Sequence, residues 1–163
     1  MSKRILVAAA AALALGACAQ AGGADTAAAV AASAAVHPES GLPVIPLTIA
    51  GADGQAHTFR VEVARSAIEQ AHGLMFRTKM GADEGMIFPM DPPRDASFWM
   101  RNTVIPLDIV FIGSDGRILN IAANAVPYSE QSLPSLGPVK GVLELNGGRA
   151  AQLGIAAGDR VSW

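Results

Sequence analysis

The chain of 163 residues holds one cysteine, Cys18. A lone thiol excludes an intramolecular disulfide, so no covalent staple holds the fold. Histidine occurs only at positions 37, 57 and 72. That scatter excludes a zinc site of the His-x-x-x-His type. No Gly-x-Ser-x-Gly elbow is present, and no Ser-His-Asp order stands out. Lys and Arg form no cluster. The phosphate neutralisation on which nucleic-acid affinity rests therefore has no footprint, and nucleic acid is not an expected partner. Internal repeats are absent. The apolar run Ile5 to Leu15 has eleven residues. A bilayer core of about 30 Å needs roughly 20.

What is there begins with an ordered N-terminus: Lys3 and Arg4, the short apolar run, then Leu15-Gly16-Ala17-Cys18. A charged start, a short apolar stretch and small residues before a cut site make a secretory signal. This one resembles a bacterial lipoprotein signal. The resemblance implies cleavage before Cys18 and acylation of its thiol. The alternative is an ordinary signal cut at the Ala-x-Ala-like Ala17-Cys18-Ala19, which leaves a soluble protein. An unpaired thiol in an oxidising compartment is a liability, and a thioether to lipid removes it. One acyl chain binds a membrane only marginally, whereas the several chains of a lipoprotein hold permanently. Ala19, not Asp, follows the cysteine. By resemblance to enterobacterial sorting, that implies the periplasmic face of the outer membrane.

Three segments follow. Residues 1–17 read as the signal. Residues 18–41 read as the lipidated cysteine and an Ala/Gly-rich tether without large apolar side chains to order it. Residues 42–163 read as a single β-rich domain. Without Lys3 and Arg4, ten basic residues stand against fourteen acidic ones, a formal charge of −4.

Within the domain, Val44–Ile49 is short and apolar. Phe59, Val61 and Val63 alternate with Arg60 and Glu62, the pattern of a strand with one buried face. Ser66-Ala67-Ile68-Glu69 fits a capping box, and Gly73 a left-handed helix end. Met86–Phe88, Ser97–Met100 and Leu107–Ile112 read as strands. Ser114-Asp115-Gly116 turns into another at Arg117–Ala122. Tyr128–Pro138 reads as a long loop, either a cover for a cleft or a surface crossover. Val142–Leu145 and Arg160–Trp163 complete the strands, with a short helix at Gly148–Leu153 between them. The expected fold is mainly β, a small closed or partly open barrel or sandwich with two short helices.

His72-Gly73-Leu74-Met75-Phe76-Arg77, Gly85-Met86-Ile87-Phe88, Phe98-Trp99-Met100-Arg101-Asn102-Thr103, Ile105-Pro106-Leu107-Asp108-Ile109 and Val142-Leu143-Glu144-Leu145-Asn146-Gly147-Gly148 follow one another in order. With Gly154-Ile155 and Gly158-Asp159 they resemble domain-of-unknown-function family 192. The resemblance implies a compact β-rich fold, often exported or membrane-anchored. It implies no activity, and no cofactor is expected.

Five points of chemistry are open at this level. In a strand, Trp99 and Arg101 share one face and Phe98 and Met100 the other, so one pair enters the core while the other lines a cleft. Asn102 falls at a turn, as a backbone clamp or a ligand contact. Asp108 sits inside an apolar strand, paired with Arg77 or Arg101 or acting as a functional carboxylate. Glu144 either alternates out to water or converges with Asp108 as a carboxylate pair for hydrolysis of an envelope glycan. Met75, Met86 and Met100 with His72 form a soft donor set that suits Cu(I), or the methionines fill a small core. The expectation that emerges is a non-enzymatic binding module, with Trp99, Asn102, Asp108, Glu144 and Arg77 as binding residues. Its partners would be membrane lipid through Cys18 and an envelope glycan or a periplasmic protein. Cys18→Ala is expected to move the protein from the membrane to the soluble fraction. Unchanged fractionation of that variant would exclude the anchor.

Overall fold

The computed structural model describes residues 35–163. The signal, Cys18 and most of the tether lie outside the described residues. The elements in chain order are β1 (Val44–Ala50), β2 (Ala56–Val63), α1 (Ala67–His72), β3 (Glu84–Arg94), β4 (Ser97–Phe98), β5 (Leu107–Gly113), β6 (Ile118–Ala125), β7 (Leu133–Pro134), β8 (Val139–Asn146), α2 (Arg149–Gln152) and β9 (Arg160–Ser162). Seven strands form one mixed sheet in the order β6-β5-β8-β3-β2-β1-β9, and β4 pairs with β7 apart from it. Only β2 and β3 run parallel within the large sheet, because the crossover through α1 separates them.

The sheet curls. Ile118 at one edge and Val161 at the other lie in the same apolar cluster as Leu47, Phe59, Val110 and Leu143. A flat sheet of this width would hold its edges far apart. An isolated bridge between Arg117 and Arg160 draws the edges together, with Ile118 N–H donating to Asp159 O at 2.9 Å and Val161 N–H to Gly116 O at 2.8 Å. No ladder continues from that bridge. The mainly β architecture with two short helices is as expected, in its partly open form; the barrel is not closed.

The opposite face carries a second cluster of Met86, Phe88, Met100, Ile109, Phe111 and Val142. Its cover is irregular: Leu74 just after α1, Phe98 of β4 and Leu133 of β7 all pack there. Central strands are therefore buried on both sides. All seven residues of β5 are buried, and five consecutive residues of β8 are too.

Helix α1 has the capping box that its sequence announces. Glu69 N–H donates to Ser66 Oγ at 3.2 Å, and Glu69 Oε2 accepts from Ser66 N–H at 2.8 Å. Gly73 ends the helix at φ 50°, ψ −132°. The positive φ agrees with the expected cap, but the ψ lies outside the left-handed helical region. Any side chain on Gly73 would also place its Cβ 3.3 Å from the Phe88 ring.

Two stretches expected to lack structure have some. Val36 bridges Pro43, His37 N–H donates to Leu42 O at 2.9 Å, and the Ser40 hydroxyl donates to Glu62, so the folded unit starts before residue 42. The stretch 128–138 contains β7 and is a strap. Ser135 N–H donates to Ala96 O at 2.8 Å, Met100 N–H to Ser129 O at 2.8 Å, and the hydroxyls of Ser97 and Ser132 meet at 2.7 Å. The strap braces segment 96–100 from behind and does not close over a cleft.

The tightest main-chain approach in the sheet lies at Gly85, where an added Cβ would stand 2.5 Å from the carbonyl oxygen of Glu144. That oxygen is main chain of a central strand, which cannot give way cheaply. Gly85→Ala is expected to lower stability by about 2–3 kcal/mol, as overpacking does. The check is the urea midpoint, which should fall while the denaturant slope stays unchanged.

Candidate functional site

Register places four side chains in one row across the sheet. Glu62 of β2 pairs with Met86 of β3, Met86 with Glu144 of β8, and Glu144 with Ile109 of β5. Paired residues share a face. Glu62 and Glu144 therefore point to the second apolar cluster from strands two steps apart, about 10 Å at the usual strand spacing. Both carboxyls are buried. Their surroundings differ completely.

Glu62 is fully satisfied. Arg77 grips it in a fork, Nη1 to Oε1 at 2.8 Å and Nη2 to Oε2 at 3.1 Å. Arg77 Nε reaches Glu39 at 3.1 Å, and His37 Nδ1 stands 3.7 Å from Glu62. Period-two alternation pointed Glu62 to water with Arg60. Arg60 is exposed, but Glu62 is buried because Arg77, His37 and Ser40 close over it.

Glu144 has no such partner. It is only 5% exposed, and among the described residues its Oε2 has no hydrogen-bond partner. Burial alone pushes its carboxyl up to about 8, so the group is protonated at neutral pH. Of the alternatives open from sequence, neither holds: Glu144 does not alternate out to water, and it does not converge with Asp108.

Asp108 belongs to the other face. It pairs with Leu145, one position along from Glu144, and a shift of one residue reverses the face. Its carboxylate accepts three backbone N–H groups, from Asn124 at 2.7 Å, Gly148 at 2.9 Å and Ala150 at 2.8 Å. Asp108 thus ties the end of β6 to the start of α2. Neither arginine expected beside it is there: Arg77 holds Glu62, and Arg101 holds Glu130 at 3.0 Å.

Above Glu144 opens a cleft of about 370 Å³. Its walls include Phe88, Met90 and Phe98, with His72 and Met75 on the side of α1 and Trp99 on the other. Although β4 is only two residues long, the side-chain alternation expected for this segment persists through Arg101. Phe98 meets Phe88 edge-to-face at 5.1 Å and Met100 is fully buried, while Trp99 is 46% exposed with the Arg101 guanidinium 4.4 Å over its ring. Strap residue Glu130 fixes Arg101, and Arg101 fixes Trp99.

Asn102 lies at a turn, but its side chain bonds no backbone group among the described residues. It sits at φ 55°, its carbonyl accepts Phe76 N–H at 2.8 Å, and its side-chain N–H₂ points to Met75 Sδ at 3.8 Å. Phe76 is itself at φ 63° with an exposed ring. An aromatic residue at positive φ is strained, and no sequence signal announces it. The candidate soft-metal donors are divided: His72 and Met75 line the cleft, whereas Met86 and Met100 are buried among apolar side chains and fill the core. Of the expected binding residues, the structure brings Trp99 and Glu144 together. Asn102 supports the wall, Asp108 faces away, and Arg77 lines a separate hollow beside Phe76.

Residues 48–163 match domain-of-unknown-function family 192, described as an uncharacterised ACR. The chain belongs to this family. It is similar to a Novosphingobium aromaticivorans protein of unknown function, with 62% identity over 82% of this chain and 94% of that one, at a TM-score of 0.78. It is also similar to a Sinorhizobium meliloti protein described as a candidate transcription regulator, with 41% identity over 74% of this chain and 94% of that one, at a TM-score of 0.72. No curated protein matches.

The buried acid has a measurable signature. Between the ordinary glutamate range near 4.5 and about 8, the folded chain binds a proton at Glu144 that the unfolded chain does not. Raising pH through this window therefore favours unfolding. Relative to Glu144→Gln, which does not titrate, the wild type is expected to lose about 3 kcal/mol between pH 4.5 and pH 7. Denaturant titrations of both proteins across that range check it. Parallel stability curves would mean that the carboxyl is solvated.

Proposed function

We propose that the chain is an exported, lipid-anchored binding module of the cell envelope, and that its cleft holds a small uncharged ligand with one apolar face. The observation that carries the reading is the unpartnered Oε2 of Glu144 at the base of a cleft walled by Trp99, Phe88 and Phe98. An apolar pocket with a few convergent polar groups is the usual composition of a ligand site. The ring face of Trp99 supplies a flat apolar platform, and the acid at the base supplies a polar anchor. A fragment of an envelope glycan has the matching chemistry, with an apolar ring face and hydroxyl or carbonyl oxygens around it.

Binding is favoured over hydrolysis by an Asp108–Glu144 pair because of where the carboxyls stand. Two-carboxylate chemistry needs both groups at one substrate. Asp108 faces the other side of the sheet, and Glu62 on the same face is locked in the Arg77 fork. The regulator description of the Sinorhizobium meliloti protein finds no support in this chain's charge, since a formal charge of −2 with scattered Lys and Arg offers no phosphate-binding face. Export and the anchor are read from the N-terminal residues through Cys18, whose resemblance to a lipoprotein signal supports a position on the periplasmic face of the outer membrane.

The test is an NMR titration with neutral glycan fragments, the N-acetylglucosamine tetramer first. Shifts are expected at Trp99, Met75 and the backbone around Glu144. Trp99→Ala is expected to weaken binding about tenfold, equivalent to about 1.4 kcal/mol. Absence of cleft shifts with every fragment would remove the reading.

A further inference from the structure

We infer that Glu144 serves this cleft as a protonated donor, so that the module takes ligands that present an acceptor oxygen to its base and loses them as that proton leaves. The inference rests on the binding reading above and adds to it the ligand's reactive edge and a pH control.

Among the described residues, no charged side chain is hydrogen-bonded or ion-paired to Glu144. Its strand neighbours in the row are Met86 and Ile109, both fully buried and apolar. Further along β8, Asn146 is engaged with the carbonyls of Met80 and Gly81 at 3.1 and 2.8 Å. On β3, Glu84 turns to Gly81 N–H at 2.8 Å. On β2, Glu62 is held by Arg77. Asp108 on β5 lies on the opposite face. From the cover, His72 follows α1 at the cleft wall, and Arg94, Asp95 and Arg101 line the cleft from the segment leading to and following β4. Arg101 is paired with Glu130 of the strap. Charges around the opening thus nearly cancel, and no base stands at Glu144 to take its proton.

A protonated carboxyl has one O–H to give and a carbonyl oxygen to offer. In Glu144 the Oε2 is buried without a partner, and such a group is strongly disfavoured until something meets it. A ligand hydroxyl or amide meets both at once, with the O–H donating to the ligand oxygen. A carboxylate in the same place has only acceptors and a charge that the apolar walls do not solvate. A cationic ligand would reverse the sign, because it would hold the carboxylate and release the proton.

The experiment measures affinity for the N-acetylglucosamine tetramer from pH 6 to pH 9.5, in the wild type and in Glu144→Gln, by calorimetry. In parallel, the Glu144 carboxyl is titrated by ¹³C NMR in the free protein. The wild type is expected to bind evenly up to about pH 8, where burial places the carboxyl, and to lose about tenfold per pH unit above it. Glu144→Gln keeps a donor and an acceptor, and its affinity should stay flat. A flat wild-type profile, or binding that tightens as pH rises, overturns the donor role while leaving the binding reading intact. A carboxyl that titrates in the ordinary glutamate range overturns it as well. No binding at any pH, with the carboxyl still titrating near 8, overturns the binding reading and the donor role with it.

Discussion

A sheet buried on both faces is the constraint from which the rest of this molecule follows. In a half-exposed sheet, alternation sends every second residue to water. Here β5, β8 and β3 occupy the centre of a curled seven-stranded sheet with apolar clusters on either side. Polar residues in the covered stretches of these strands, and Glu62 on neighbouring β2, are desolvated whichever way they point. The sheet meets that condition in three ways. Asp108 is given three backbone N–H donors. Glu62 is given the Arg77 fork. Glu144 is given nothing and keeps its proton. Three carboxyls in similar burial thus differ in chemistry through their partners alone.

The same constraint decides what the sequence could reveal. Strand positions, the turn at Ser114-Asp115-Gly116 and the Ser66–Glu69 cap were legible, because each is written in a local pattern. So was the split of Phe98 and Met100 from Trp99 and Arg101, since alternation needs only a locally extended backbone. The burial of Glu62 and Glu144 was not legible. Alternation says which face a residue takes and is silent on whether that face is covered, and the cover comes from segments far away in sequence: residues 37–40 and Arg77 over Glu62, and residues 72–75 and 94–103 around Glu144. The separation of Asp108 from Glu144 was equally hidden, because it depends on the β5–β8 register, in which Asp108 meets Leu145 and Ile109 meets Glu144. The strap was missed because its pairing strand, Leu133–Pro134, is two residues long and held largely by serine hydroxyls and isolated backbone bonds.

The cleft gains rigidity from strain and bracing in equal measure. Asn102 and Phe76 both adopt positive φ, and a backbone hydrogen bond of 2.8 Å links them. Asparagine accepts that conformation readily, whereas phenylalanine does so at a penalty of order 1–3 kcal/mol. On the opposite wall, Trp99 lies under Arg101, Arg101 is pinned by Glu130, and the strap that carries Glu130 is bonded to the backbone of residues 96 and 100. These contacts brace segments beside the cleft. Preorganisation of this kind lowers the ordering penalty of binding.

Stability alone gives no reason for a glutamic acid at position 144. Its neighbours Met86, Ile109 and Val142 are apolar, and a side chain of similar volume without polar atoms would fill the space without an orphaned oxygen. The fold elsewhere shows that it can satisfy a buried carboxyl, at Asp108 with backbone donors and at Glu62 with a guanidinium. At Glu144 it supplies neither, and the one open side leads into the cleft. A group left unsatisfied by its own protein, at the base of a preformed cavity, is placed for a partner from outside. The stability given up in holding it there is of the kind that functional sites give up routinely.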